Sequence, residues 1–426
     1  MQTAKKSITF VPMKRIIPVF LALFGTVSWA VAQQTRSLSD MIRTVRVVMN
    51  GDVLLPPVGQ LGKSRVAISF DRMDHEYTRY IYKVQLCNAD WTEATDVFES
   101  DFLTGFNGMP IEDYETSFNT TQLYTHYHLT IPNENCRLLL PGNYRLSIYE
   151  DGEDEAVAEA CFSLFLPKMT VTASVSGNTE IDFNKAHQQI TMSVAYGTTT
   201  VVDPERELHT VVIQNRRLDN AVVDLPPNIR KNGGAEWTHR RELAFPAGNE
   251  FHKFDLLDVH RAGMGIDRTG WYEPFFHAKL YESVPGRNYF DEPDANGAYI
   301  VRHSGDEDND TQSEYVLVHF PFKSERMKGG DIYVCGLWDD GLPSERCRMA
   351  YDEASGTYEA VVLLKQGYYN YQYRFFPDGS GVGQTLRTDG DYYETENEYL
   401  ILVFHRGQGE RYDALVGMAR LRSLMH

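Results

Sequence analysis

The sequence predicts an all-β protein built as tandem immunoglobulin-like or fibronectin-like β-sandwiches, three in number. Three observations predict it. Aromatic residues make up 12% of the chain, with 25 Tyr, and such side chains favour the pleated, half-buried surface of strands. Short β-rich runs alternate with turn clusters, and from Phe70 to Tyr149 no stretch has a helical period. At 426 residues the chain exceeds one ordinary core, so two to four domains are expected.

Residues 1–32 read as a secretory signal peptide. Lys14 and Arg15 give a positive start and Ile16 to Val27 an apolar core too short for a membrane span. Ala30-Val31-Ala32 then fits the small-x-small cleavage pattern before Gln33. Met13-Lys14-Arg15 is the more usual opening, which puts the true start at Met13. No Cys stands at the cleavage site, which argues against a lipid anchor. Removing this segment takes away four basic and no acidic residues, leaving 37 basic against 59 acidic. So acidic a chain is a poor partner for nucleic acid or an anionic lipid surface.

A first sandwich is expected over 38–167. Its strands are Arg43–Met49, Val66–Phe70, Tyr80–Leu86, Tyr124–Thr130, Tyr144–Tyr149 and Ala160–Leu166. Tyr144, Leu146 and Ile148 alternate onto one face, Pro141-Gly142-Asn143 turns into that strand, and Trp91 is expected to plug the core. A second sandwich is expected over 168–305, with strands Met169–Ser174, Gln189–Tyr196, Thr210–Gln214 and Tyr272–Tyr281 and a long polar loop at Asp224–Trp237. Residues 304–313 contain no apolar residue, and 306–313 read as an acidic linker. A third sandwich is expected over 314–417, from Tyr315–Pro321, Asp331–Cys335, Tyr358–Leu364, Tyr368–Phe375 and Tyr399–Phe404. Gln366-Gly367 reads as a hairpin turn inside it. The basic residues 418–426 read as a short helix or frayed tail.

The five cysteines cannot all pair within one chain. Cys335 with Cys347, and Cys136 with Cys161, are open to bridging, while buried free thiols in β-cores are the simpler reading. No C-x-x-C suggests zinc.

Catalytic motifs are missing. Gly379-Ser380-Gly381-Val382-Gly383 has its Ser in the wrong place for a nucleophile elbow. Gly62-Lys63-Ser64 lacks the earlier glycine of a phosphate loop, since Pro57 stands there, and Arg268 interrupts the G-x-G-x-x-G begun by Gly263 and Gly265. His126 and His128 share a strand face and could form a metal pair, but no third ligand is assignable, and a half-exposed strand face is the simpler reading. Asp306, Asp308 and Asp310 have calcium-like spacing, but Thr311 and Leu317 replace the required glycine and glutamate. No catalytic residue, cofactor or metal site is assigned, and the chain is expected not to be an enzyme.

The ordered words Ser69-Phe70-Asp71, Tyr80-Ile81-Tyr82, Cys87-Asn88-Ala89-Asp90-Trp91, Ser117-Phe118-Asn119-Thr120, Tyr124-Thr125-His126-Tyr127 and Gly142-Asn143-Tyr144 resemble the type IX secretion system plug protein family of Bacteroidota. Gln214-Asn215-Arg216 and Gly248-Asn249-Glu250-Phe251 extend the likeness across most of 40–255. Leu86 and His252 depart from it, at positions where the family often carries His and Arg. The resemblance implies a non-catalytic periplasmic protein that closes the periplasmic mouth of an outer-membrane translocon barrel by protein–protein contact, without inserting in the membrane itself. Val334-Cys335-Gly336-Leu337-Trp338 and Lys365-Gln366-Gly367-Tyr368-Tyr369-Asn370-Tyr371 resemble early-set domains related to glycogen-binding modules. That likeness implies an alternative, an extracytoplasmic carbohydrate-binding protein in which Trp338 and Tyr371 stack on sugar or touch a partner. Core packing is the simpler role for both rings.

Overall fold

A computed structural model describes residues 33–283, 289–305, 308–386 and 389–423. The expected signal peptide, its cleavage-side residues up to Ala32, Asp306 and Glu307 of the expected linker, and residues 424–426 lie outside the described residues. The fold is all-β, in three two-layered sandwiches.

In the first sandwich, Ala156–Phe165, Gly142–Glu150 and Tyr80–Cys87 run antiparallel in one layer, and Ile42–Met49, Val66–Arg72, Thr125–Ile131 and Asp113–Thr116 form the other. The alternation read from sequence decides what is inside: Tyr144, Leu146 and Ile148 are each 0% exposed. Phe70, Tyr80 and Tyr127 pack against one another at 4.9 to 5.2 Å between ring centroids. Trp91 is buried, not in the main core but in a small cluster with Cys87 and Cys161.

In the second sandwich, Thr170–Ser176, His187–Ala195 and Gly234–Trp237 face a sheet of Leu208–Gln214, Glu398–His405 and Ala414–Arg422. Tyr399–Phe404, expected in the third sandwich, therefore pairs with the second, Leu208 standing opposite His405. Met418–Arg422, expected as a helix or frayed tail, is strand. The expected loop Asp224–Trp237 carries a hairpin, Ile229–Lys231 with Gly234–Trp237, that buries Trp237 completely.

The third sandwich begins at His252–Leu256, which pairs with Gly367–Pro377. Its other layer is Ile266–Tyr272, Phe275–Leu280, Tyr315–Lys323, Thr357–Lys365 and Ala350–Asp352. The strand expected at Tyr272–Tyr281 thus belongs here and not to the second sandwich. The third sandwich is an insertion between two strands of the second, which no local alternation can reveal. Gln366-Gly367 is not a hairpin turn, because Thr357–Lys365 and Gly367–Pro377 lie in different layers. It is a corner, and Gly367 is required there: a Cβ would stand 2.2 Å from the Ile300 carbonyl oxygen. The described part of the expected acidic linker, 308–313, is also structured. Asn309–Gln312 is a helical turn capped by Asp308, with Thr311 and Ser313 buried.

All five cysteines are free and buried, so neither disulfide left open by the sequence forms. No helix among the described residues is long and apolar enough to cross a membrane.

Candidate functional site

Tyr371 lies on Gly367–Pro377 and is 4% exposed, its ring edge-on to Phe320 at 5.1 Å. It is a core residue of the third sandwich and presents no face to a sugar. Trp338, in the turn Leu337–Asp339, is half-buried. It stacks on Phe320, meets Tyr369 edge-on at 5.6 Å, and lines a crevice of about 360 Å³ between the first and third sandwiches. The two aromatics do not form a common exposed platform.

Two of the junctions between the sandwiches involve the first, and a third, from Arg217 and Asp219 to Gly383, joins the second to the insert. Between the first and second the contact is apolar. Strand Glu398–His405 is buried along its whole length: Tyr399, Ile401 and Val403 face the second core, while Leu400, Leu402 and Phe404 pack with Ala89, Val58 and Phe165 of the first sandwich. Arg406 reaches Asp413 at 2.8 Å, and Asp413 accepts the Ala89 amide at 2.9 Å, so ionic contacts border the apolar seam.

Between the first and third sandwiches the junction is polar and buried. Asp71 is the last residue but one of the strand Val66–Arg72, and Lys365 ends Thr357–Lys365. Their side chains, each 1% exposed, meet at 2.7 Å. The other Asp71 oxygen lies 2.6 Å from His126 Nδ1, and the Tyr315 hydroxyl donates to Asp71 Oδ2 at 2.6 Å. Lys365 also donates to the Asp310 carbonyl at 2.6 Å and lies over the Tyr124 ring, 4.1 Å from its centroid. Arg46 pairs with the Asp310 carboxylate, and Tyr124 donates to the Ser313 carbonyl at 2.9 Å. Burial acts to raise the Asp71 pKa, but Lys365 and His126 outweigh it and hold the carboxyl well below the usual range. Desolvation lowers Lys365, and Asp71 opposes that shift. The attraction is the direction that governs the pair, because every oxygen of Asp71 and the ammonium of Lys365 have partners at bonding distance.

Sequence reading missed this cluster. A lysine closing the apolar run Val361-Val362-Leu363-Leu364 was its one local signal. His126 and His128 share a strand face as expected, but each turns to a different carboxylate, Asp71 and Asp113. Among the described residues no group of three His, Cys, Asp or Glu is arranged to hold a metal. Of the three aspartates with calcium-like spacing, Asp308 caps the helical turn and Asp310 serves Arg46.

Where all three sandwiches meet there is a cavity of about 110 Å³. Its walls are mostly apolar, from Val47, Phe162, Ile213 and Leu402, but Arg216 of the second sandwich and Asp340 of the third also line it, together with Gln33 and Thr35 near the described start.

Residues 42–166 match the family model described as type 9 secretion system plug protein 1st domain. The crystal structure of a hypothetical protein from Parabacteroides merdae ATCC 43184 superposes with a TM-score of 0.89 at 36% identity, covering 92% of this chain and 99% of that one. The C-terminal domain of the Streptococcus pyogenes antigen I/II-family protein AspA aligns at 8% identity with a TM-score of 0.17, too low to bear on the fold. No curated protein matches the chain.

Proposed function

The chain belongs to the type 9 secretion system plug protein family, and from that premise we propose that it is a non-catalytic periplasmic plug of the secretion translocon. It reaches the periplasm through a signal peptide cleaved between Ala32 and Gln33. There it occludes the periplasmic opening of a large outer-membrane β-barrel by surface contact, without entering the bilayer. A stopper must hold its shape against the mouth it closes. The observation that carries the reading, beside the family itself, is the buried Asp71–Lys365 junction, which ties the inserted third sandwich to the plug-family domain. A stable seal calls for at least about 1,000 Å² of buried surface, which a three-sandwich body can offer.

A tagged copy expressed in its native host tests this. The chain should co-purify from the envelope with a barrel protein of the secretion system, and its deletion should make the outer membrane leaky to solutes that the resting translocon excludes. Recovery without any barrel, or a deletion strain with unchanged permeability, would overturn the proposal. Nothing in the structure favours the carbohydrate-binding alternative, since Tyr371 is spent on the core.

A further inference from the structure

The cavity at the meeting point of the three sandwiches holds two charged side chains that do not pair with each other. Asp340 follows the turn Leu337–Asp339, is part-buried, and lines the cavity. It accepts a hydrogen bond from the Thr35 backbone amide, and among the described residues no Lys, Arg or His nitrogen lies within ion-pair distance of it. Arg216 lines the same cavity but donates to the Leu54 carbonyl. A part-buried carboxylate without a cation is disfavoured, and such a group tends to stay neutral or to gain a partner. The groups that face it do not supply one. Asp339 repels it, Arg216 acts from a distance, and Cys161 and Tyr299 are neutral neighbours in the wall.

The segment that already touches Asp340 is the start of the mature chain. Thr35 donates to the carboxylate, Cys161 donates its amide to Thr35 Oγ1 at 3.1 Å, and Gln33 lines the cavity. Two residues of chain span at most about 7 Å, so the backbone nitrogen of Gln33 is held within that distance of the Thr35 nitrogen. We propose that the cavity is a binding site for the α-ammonium group that signal-peptide cleavage creates on Gln33, with Asp340 as its counter-ion. The inference rests on the export reading above. It goes further in making removal of the signal peptide the event that completes the junction of the three sandwiches. Before cleavage the Gln33 nitrogen is a neutral amide and the Asp340 charge is unmatched.

The pH behaviour follows from the sign of the perturbation. Without the ammonium, burial and then Asp339 push Asp340 up to about 7, against Thr35 and Arg216. The stability it contributes is then full below the ordinary carboxylate value and is lost as pH rises through about 7. The ammonium removes that loss until it deprotonates; an unpaired α-amino group does so near 8, and pairing moves this upward.

Two versions of the chain from residue 33 to 426 test the proposal, both released from a cleavable fusion. One starts at Gln33 itself and the other carries Gly-Ser ahead of it. At pH 7 the Gln33-start chain should melt higher by roughly 2 °C or more. The gap should narrow at pH 4.5, where the Gly-Ser chain protonates Asp340 and no longer carries an unmatched charge, and should vanish with Asp340→Asn. Should Asp340→Asn fail to fold, labelling of the native chain by an amine-reactive reagent decides: the Gln33 α-amine should react far more slowly than the Gly-Ser terminus. Equal melting at pH 7, equal labelling, or recovery of residue 33 as pyroglutamate, lighter by one ammonia and without the cation, would each overturn it. N-terminal sequencing of the chain from its native envelope reads the export premise separately. A start other than Gln33 would remove the processing step, whatever the melting comparison shows.

Discussion

Replacing Lys365 by Met keeps the aliphatic stem and removes only the ammonium. The carboxylate of Asp71, with its side chain 1% exposed, then keeps His126 and Tyr315 but loses its one permanent cation, at 2.7 Å. The Asp310 carbonyl loses a donor at 2.6 Å and the Tyr124 ring a cation at 4.1 Å. Breaking one partner of a buried pair costs about 3–5 kcal/mol, because the penalty is the charge left behind. Adding Asp71→Asn removes that charge. The double variant should therefore cost less than the sum of the singles by about 2 kcal/mol or more. Denaturant unfolding gives the energies, and limited proteolysis at 304–314 shows whether the junction opens before the sandwiches melt. A Lys365→Met loss below about 1 kcal/mol, or strictly additive singles, would refute the view that this pair locks the first and third sandwiches.

Acid should spare this junction at first: the Asp71 pKa is depressed, so its contribution is present above the ordinary carboxylate value and is lost only as pH falls through the lower native one; a hydrogen-exchange scan that opens the junction already at pH 5 would contradict this. Thiol titration should find five reactive groups in denaturant and almost none in the native protein, because burial raises Cys87, Cys136 and Cys335 each to about 11. Rapid native labelling would refute the buried assignment. Burial, then Asp294 and Glu396, raise Glu250 to about 8 against its backbone and Tyr289 hydrogen bonds. The stability this carries is full below 4.5 and is lost as pH climbs through about 8, so Glu250→Gln should flatten the decline of melting temperature between pH 5 and 8. An unchanged slope would count against it. Tyr371→Ala should destabilise by about 3–5 kcal/mol, as expected for truncating a large buried ring, and should leave glycan-array signals at background for variant and parent alike.

Layer membership separates what was legible in the sequence from what was not. Tyr144, Leu146 and Ile148 announced their burial by spacing alone, and the first-sandwich strands lie within a few residues of where alternation placed them. Alternation says which side chains face in, but not which partner strand supplies the other layer. Tyr399–Phe404 therefore read as a strand of the nearest sandwich, although its hydrogen bonds go to Leu208–Gln214. The Gln366-Gly367 corner was mistaken for a hairpin for the same reason: two strong strands joined by two turn residues look alike whether they pair or part. Lys365 was invisible as a site because its partner, Asp71, lies in another sandwich. Residues 308–313, which read as solvated linker, are capped by Asp308 and held by Arg46, far upstream, which meets Asp310. Long-range charge matching of this kind leaves no periodic trace.

The return of Glu398–His405 and Ala414–Arg422 to the second sandwich fixes the order in which the chain can mature. Leu208–Gln214 is made early but lacks its sheet neighbour Glu398–His405, and the next strand Ala414–Arg422, until the insert has been made. The insert from His252 to Thr385 can close its own layers first. The second sandwich stays half-built meanwhile, with an apolar edge exposed to whatever chaperones attend it. Loss of only the last two strands would leave the insert able to fold on a host that cannot.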